Sequence, residues 1–218
     1  MGILVAPSIL AGDFVNMQKS IELISKCGGD LVHCDVMDGV YVNNITFGMP
    51  MITAIRKITK LPLDVHLMIT KPERYVEEFI DAGADYITFH PDASDAPKQT
   101  LKRIRAMGKK AGIVLNPNIA FNDYQDLLFD SDLILIMSVY AGRGGQKFIP
   151  DTLNKVLQAR EFIEKHNLGI PIEIDGGINE SNALDAVSMG VSILVAGSSV
   201  YNSSDPARTI SKLKQLNN

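Results

Sequence analysis

Eight short apolar runs punctuate the chain, at residues 3–6, 31–36, 63–67, 86–89, 111–115, 133–137, 172–174 and 193–196. Each is too short for a helix, and most are rich in Ile, Leu and Val, the composition of strands buried on both faces. Between them the apolar residues fall at helical spacing, as in Met17, Ile21 and Ile24, in Val76, Phe79 and Ile80, and in Leu153, Val156, Leu157 and Ile163. Gly28, Gly83, Gly108 and Gly190 each follow a helical segment and precede a strand, where a left-handed cap is needed. Pro62 and Pro171 stand at strand entrances, and Pro72 and Pro150 near helix starts. Strand and helix therefore alternate eight times, which predicts an α/β fold: a single (β/α)8 TIM barrel with residues 1–218 as one domain. A doubly wound open sheet is the alternative. It is disfavoured because no G-x-G-x-x-G opens the first helix and eight even units suit closure.

Composition narrows the function. At 218 residues, 46% hydrophobic and 21% charged, the chain reads as an ordinary globule. A net charge of −4 argues against nucleic-acid binding, which wants a basic face, yet leaves room for a small phosphorylated ligand held by backbone amides. Cys27 and Cys34 are the two cysteines, without zinc-ribbon or C-x-x-C spacing, which fits a reducing, cytoplasmic setting. The apolar start MGILVAPSIL lacks the basic flank and length of a signal peptide, and no run reaches membrane-spanning length, so no membrane partner is expected.

In such a barrel, chemistry belongs at the C-terminal ends of the strands. Those ends carry Ser8 after the first run, His33, Asp35 and Met37 on the second, and His66 and Met68 on the third. The sixth ends in Met137, the seventh in Asp175-Gly176-Gly177 and the eighth in Gly197-Ser198. Alternate residues share a strand face, so His33 and Asp35 can point together into the barrel mouth, where His66 and Asp175 can join them. Two histidines and two aspartates make a mixed N and O donor set for one divalent ion, zinc or another first-row metal. The bland alternative is a set of satisfied core histidines with surface aspartates, and four such residues ending three strands weigh against it. His90 also ends a strand and ranks behind His33 and His66 as a ligand, while His166 reads as surface.

Glycine turns form a second group. Gly142-Arg143-Gly144-Gly145, Gly176-Gly177 and Gly197-Ser198 follow neighbouring strands, and glycines let backbone N–H groups approach an anion closely. Three such turns suggest a phosphate cradle. Met37, Met68 and Met137 suit either core packing or a soft roof over the metal site.

Together, APSIL (6–10), HCDVMDG (33–39), NNITFG (43–48), LPLDVHLM (61–68), GGQKFIP (144–150), IEIDGGIN (172–179) and LVAGSSVY (194–201) resemble the ribulose-phosphate 3-epimerase family over nearly the whole chain. The resemblance implies one divalent ion (Zn, Mn, Fe or Co) held by His33, Asp35, His66 and Asp175, with Asp35 and Asp175 as the acid–base pair. It implies substrate contact by Ser8 and His66, phosphate binding by the glycine turns with Ser198, a small phosphorylated ketose as substrate, and a homo-oligomer. One strand end and two loops depart from the family's common sequence: strand four ends in His90-Pro91-Asp92, where Cys-Glu is common in pentose enzymes and His-Pro-acid is found in a related allulose-6-phosphate 3-epimerase. Tyr140-Ala141-Gly142-Arg143 stands where Asn-Pro-Gly-Phe is common, and Val42-Asn43-Asn44 where Val-Pro-Asn is usual. These loops meet the sugar, so D-ribulose 5-phosphate is the expected substrate and D-allulose 6-phosphate the alternative, with Arg143 as an added cation above it. Barrel decarboxylases of similar scaffold carry Asp-x-Lys-x-x-Asp where this chain has His33-Cys34-Asp35-Val36-Met37-Asp38, without lysine, and a non-catalytic sugar-phosphate sensor would not need the intact quartet.

Overall fold

The computed structural model describes residues 2–216. The apolar runs become eight strands: β1 (Leu4–Pro7), β2 (Val32–Met37), β3 (Leu63–Met68), β4 (Tyr86–Phe89), β5 (Lys110–Leu115), β6 (Leu133–Met137), β7 (Ile172–Asp175) and β8 (Ile193–Ala196). All neighbours pair in parallel, in the order β1-β8-β7-β6-β5-β4-β3-β2. A parallel bridge between Ser8 and His33 joins the two free edges, so the sheet closes into the expected barrel at the level of the site. Observed ends differ by at most about one residue from those read off the apolar pattern, with Pro7, Met37, Met68 and Asp175 each extending a strand one residue past its run.

Around the barrel lie α1 (Met17–Lys26), α2 (Met49–Ile58), α3 (Val76–Ala82), α4 (Pro97–Ala106), α5 (Leu153–His166), α6 (Ala183–Met189), α7 (Ser198–Tyr201) and α8 (Pro206–Lys214). The connection from β5 to β6 uses short 3-10 helices instead, Phe121–Asp123 and Gln125–Asp130. Gly28, Gly83, Gly108 and Gly190 all have positive φ at the ends of helices, as their positions predicted.

Strand alternation decides what fills the barrel. On β2 and β3, Val32, Cys34, Val36, Leu63, Val65 and Leu67 face outward into the core shared with the helices. On β7, Ile172 and Ile174 do the same. Burying each such aliphatic side chain contributes about 1.5–3 kcal/mol. The intervening residues must then point into the barrel, and here they are His33, Asp35, Asp64, His66, Glu173 and Asp175. The facing part of the interior is apolar, with Val114, Leu135 and Met137 in one cluster and Ala6, Ile193 and Val195 in another. Polar side chains from β2, β3 and β7 thus meet across the barrel interior, with these apolar clusters beside them.

Candidate metal centre

One ligand atom from each of His33, Asp35, His66 and Asp175 lies within 4.8 Å of the others. His33 Nε2 and His66 Nδ1 both sit 3.4 Å from the same oxygen, Asp35 Oδ1. Both nitrogens are buried and have no hydrogen-bond partner. Leaving a buried polar atom unpaired costs about 1–3 kcal/mol, so two of them aimed at one carboxylate oxygen is what a divalent cation would relieve. The donor set of two imidazoles and two carboxylates fits a first-row ion.

Charge is distributed unevenly over the quartet. Burial opposes ionisation of Asp35, but His33 and His66 outweigh it and hold the carboxyl far below the usual carboxylate range. Burial, reinforced by the Asp35 charge, pushes the Asp175 carboxyl the other way, up to about 7. Burial also disfavours a charged His33, yet Asp64 and Asp35 raise its proton affinity well above that of a free imidazole. A cation would compete with that proton.

Asp64 and Glu173 are the residues that sequence reasoning missed. His33 Nδ1 lies 2.5 Å from Asp64 Oδ2, and Glu173 Oε1 is 3.8 Å from the same nitrogen. The carboxylate fixes the ring so that Nε2 faces the cluster. Alternation could have found both, since Asp64 stands two residues before His66 and Glu173 two before Asp175. Asp64→Asn should weaken zinc affinity about 10–100-fold in a chelator competition. An unchanged affinity in a folded variant would show that Asp64 does not orient the ligand.

Above the quartet opens a cleft. Asp35 and Asp175 form part of its floor, and Met37, Met68 and Met137 flank them, each at most 3% exposed. Ser8 lines the same cleft and donates from Oγ to Asp35 Oδ2 at 2.6 Å. His33 and His66 lie beneath it, fully buried. Gly142, Arg143, Gly144 and Gly145 rim one side; Gly176, Gly177, Gly197 and Ser198 rim another. Gly177 has φ 64°, and a Cβ there would meet Gln146 O and Phe148 N at 2.7 Å, so the β7 turn can lie against the β6 loop only as glycine. Gln146 closes that loop by donating to Tyr140 O and Arg143 O at 2.7 and 2.8 Å. The two loops of unusual sequence touch each other, since Asn44 Nδ2 donates to Gly142 O at 3.0 Å. The Arg143 side chain is exposed, and so is His166. His90 is buried with Nε2 3.0 Å from His66 Nε2, so it stands behind a quartet member instead of within the quartet.

Fold and centre define a class: a (β/α)8-barrel enzyme with a candidate divalent-metal site at the C-terminal mouth. The chain belongs to the ribulose-phosphate 3 epimerase family, whose model matches residues 4–201. It is 45% identical over 214 residues to ribulose-phosphate 3-epimerase of Synechocystis sp., covering 97% of this chain and 93% of that one. It is 43% identical over 211 residues to the Bacillus subtilis protein of the same name, covering 96% and 97%. Among solved structures, 3-hexulose-6-phosphate synthase from Salmonella typhimurium superposes with a TM-score of 0.72 over 99% of this chain and 98% of that one, at 18% identity, a likeness of fold alone. Among the described residues no helix is long and apolar enough to cross a membrane.

Proposed function

We propose that this chain inverts C3 of D-ribulose 5-phosphate to give D-xylulose 5-phosphate. The observation that carries the reading is the carboxylate pair Asp35 and Asp175, brought from β2 and β7 to one floor, with the proton affinity of Asp35 pushed down by the histidines and that of Asp175 pushed up by burial. Inversion next to a ketone needs a proton removed from one face and another returned to the opposite face. Ionised Asp35 takes the proton in one direction, protonated Asp175 supplies it on the other side, and the roles reverse for the return reaction. Ser8 donates to Asp35 and keeps that carboxylate aimed at the substrate. Bound at His33, Asp35, His66 and Asp175, a zinc, manganese, iron or cobalt ion would supply Lewis-acid stabilisation of the charge left on the substrate oxygens. Met37, Met68 and Met137 exclude water from the proton-transfer site. The backbone amides of the glycine turns and Ser198 hold the phosphate, which keeps C3 in register between the two carboxylates. Arg143 adds a positive charge at the rim. We also infer self-association, since Val15, Val40 and Ile45 expose 73–91% of their surface on loops beside the mouth.

The names of the relatives favour the pentulose over a hexulose phosphate. On one metal-defined preparation, kcat/KM for D-ribulose 5-phosphate should exceed that for D-allulose 6-phosphate by about 100-fold. A preference for the hexulose would overturn the substrate. Absence of C3 hydrogen exchange with either would overturn the reaction.

A further inference from the structure

Behind His66 a chain of side chains runs to the loop over the cleft. His66 Nε2 lies 3.0 Å from His90 Nε2, His90 Nδ1 lies 3.4 Å from Asn116 Nδ2, and Asn116 Oδ1 accepts from Ala141 N at 3.1 Å. Asn116 Nδ2 also donates to Tyr41 Oη at 3.0 Å, and Lys155 Nζ holds the Asn116 carbonyl at 2.5 Å. We propose that His90 and Asn116 are positioning residues which couple cation binding at His66 to release of the Ala141 amide, and so to the freedom of the 141–145 loop. The inference rests on the metal-centre reading above.

The argument follows the protons. Because Asn116 Oδ1 is engaged by Ala141 N, its amide nitrogen faces His90, and an amide nitrogen only donates. His90 Nδ1 must then accept, so the ring's single proton is on Nε2 and is given to His66 Nε2. His66 in turn carries its proton on Nδ1, beside Asp35 Oδ1. That tautomer has no lone pair on the nitrogen that faces the cluster. Ligation through Nδ1 reverses every link: His66 carries its proton on Nε2 and His90 carries its own on Nδ1, so each ring keeps one proton and none is gained or lost. His90 Nδ1–H now needs an acceptor, and Asn116 offers one only by turning its amide over. The NH2 group would then face the Ala141 N–H, two donors that cannot pair, and the tether on the loop is lost. Tyr41 gives its one O–H to Asp92 at 3.2 Å while accepting from Asn116, so to meet the oxygen of the turned amide it would have to swing that O–H from Asp92 to Asn116.

Two measurements on the full chain test this without substrate. In wild type, adding zinc should exchange the protonated nitrogens of His66 and His90 in ring 15N spectra, and should speed hydrogen exchange of the Ala141 amide about tenfold while cation binding slows exchange in the surrounding core. In Asn116→Asp, a carboxylate accepts from both sides, so zinc should bind about tenfold more tightly and Ala141 exchange should ignore it. If zinc binds but the Ala141 amide slows with its neighbours, or the ring tautomers stay as they were, the coupling is wrong and the centre stands. If zinc does not bind at a site sensitive to His33→Ala, the centre is wrong and the coupling falls with it.

Discussion

Asp175→Asn should lower kcat for epimerisation by about 10²–10⁴-fold, the range lost with one positioned proton-transfer group. The change is nearly isosteric and leaves the backbone anchor intact, since Ser138 Oγ donates to the Asp175 carbonyl at 2.9 Å whatever the side chain. Asparagine cannot deliver a proton to the second face, but Asp35 remains ionised on the first. Incubated in heavy water, the variant should exchange the C3 hydrogen of one epimer with solvent while hardly converting it to the other. Asp35→Asn should show the mirror behaviour, with exchange confined to the opposite epimer. Equal exchange from both epimers in either variant, or epimerisation within about twofold of wild type, would mean that the two carboxylates do not divide the faces between them.

Stripping the protein with a chelator should bring activity to background, with recovery on adding zinc, manganese, iron or cobalt. The stripped chain should also carry a pH signature in its stability. Asp175, Glu173 and His33 all hold protons more tightly in the folded chain than they would unfolded: burial dominates for the two acids, and the neighbouring Asp64 and Asp35 carboxylates for the histidine. The Asp175 share is lost as pH rises toward about 7, where its folded carboxyl ionises; above that the unfolded chain has already released the Glu173 and His33 protons while the folded one still binds them, so stability must keep falling. The slope is about 1.4 kcal/mol per pH unit for each proton retained. His66 and His90 act oppositely, because burial lowers their proton affinity, but their contribution is complete once the unfolded ring is neutral near pH 6.5. A cation on His33 Nε2 takes the place of the extra His33 proton, while Glu173 lies outside the quartet, so the loaded protein should decline less steeply. Thermal denaturation at about pH 7 and about pH 9 measures it: the gap in Tm between loaded and stripped protein should widen with pH. Parallel curves would mean that the cation does not replace the extra His33 proton.

Most of the scaffold was legible along the chain. A strand buried on both faces needs an unbroken apolar run, and a connecting helix needs a 3.6-residue stripe, so both leave local patterns that survive without coordinates. Glycines 28, 83, 108 and 190 were readable for the same reason, since a left-handed cap is a demand on one residue. The quartet was legible because barrels keep their chemistry at strand ends and alternation sends His33 with Asp35 to one face.

Other features depend on closure. Alternation puts Asp64 and Glu173 on the inward face with His66 and Asp175, but they gain a role only because the barrel brings both beside His33. The same holds for the line from Asp35 on β2 through His66 on β3, then His90 and Asn116 just past β4 and β5, to Ala141 in the loop after β6. Hydrogen bonds of this kind depend on distances of about 3 Å between residues far apart in sequence, and no local periodicity encodes them. The amino-acid order alone determined eight strand–helix units and which side chains face inward. Which of those side chains touch, and therefore where protons and a cation can sit, was decided only when the sheet closed on itself.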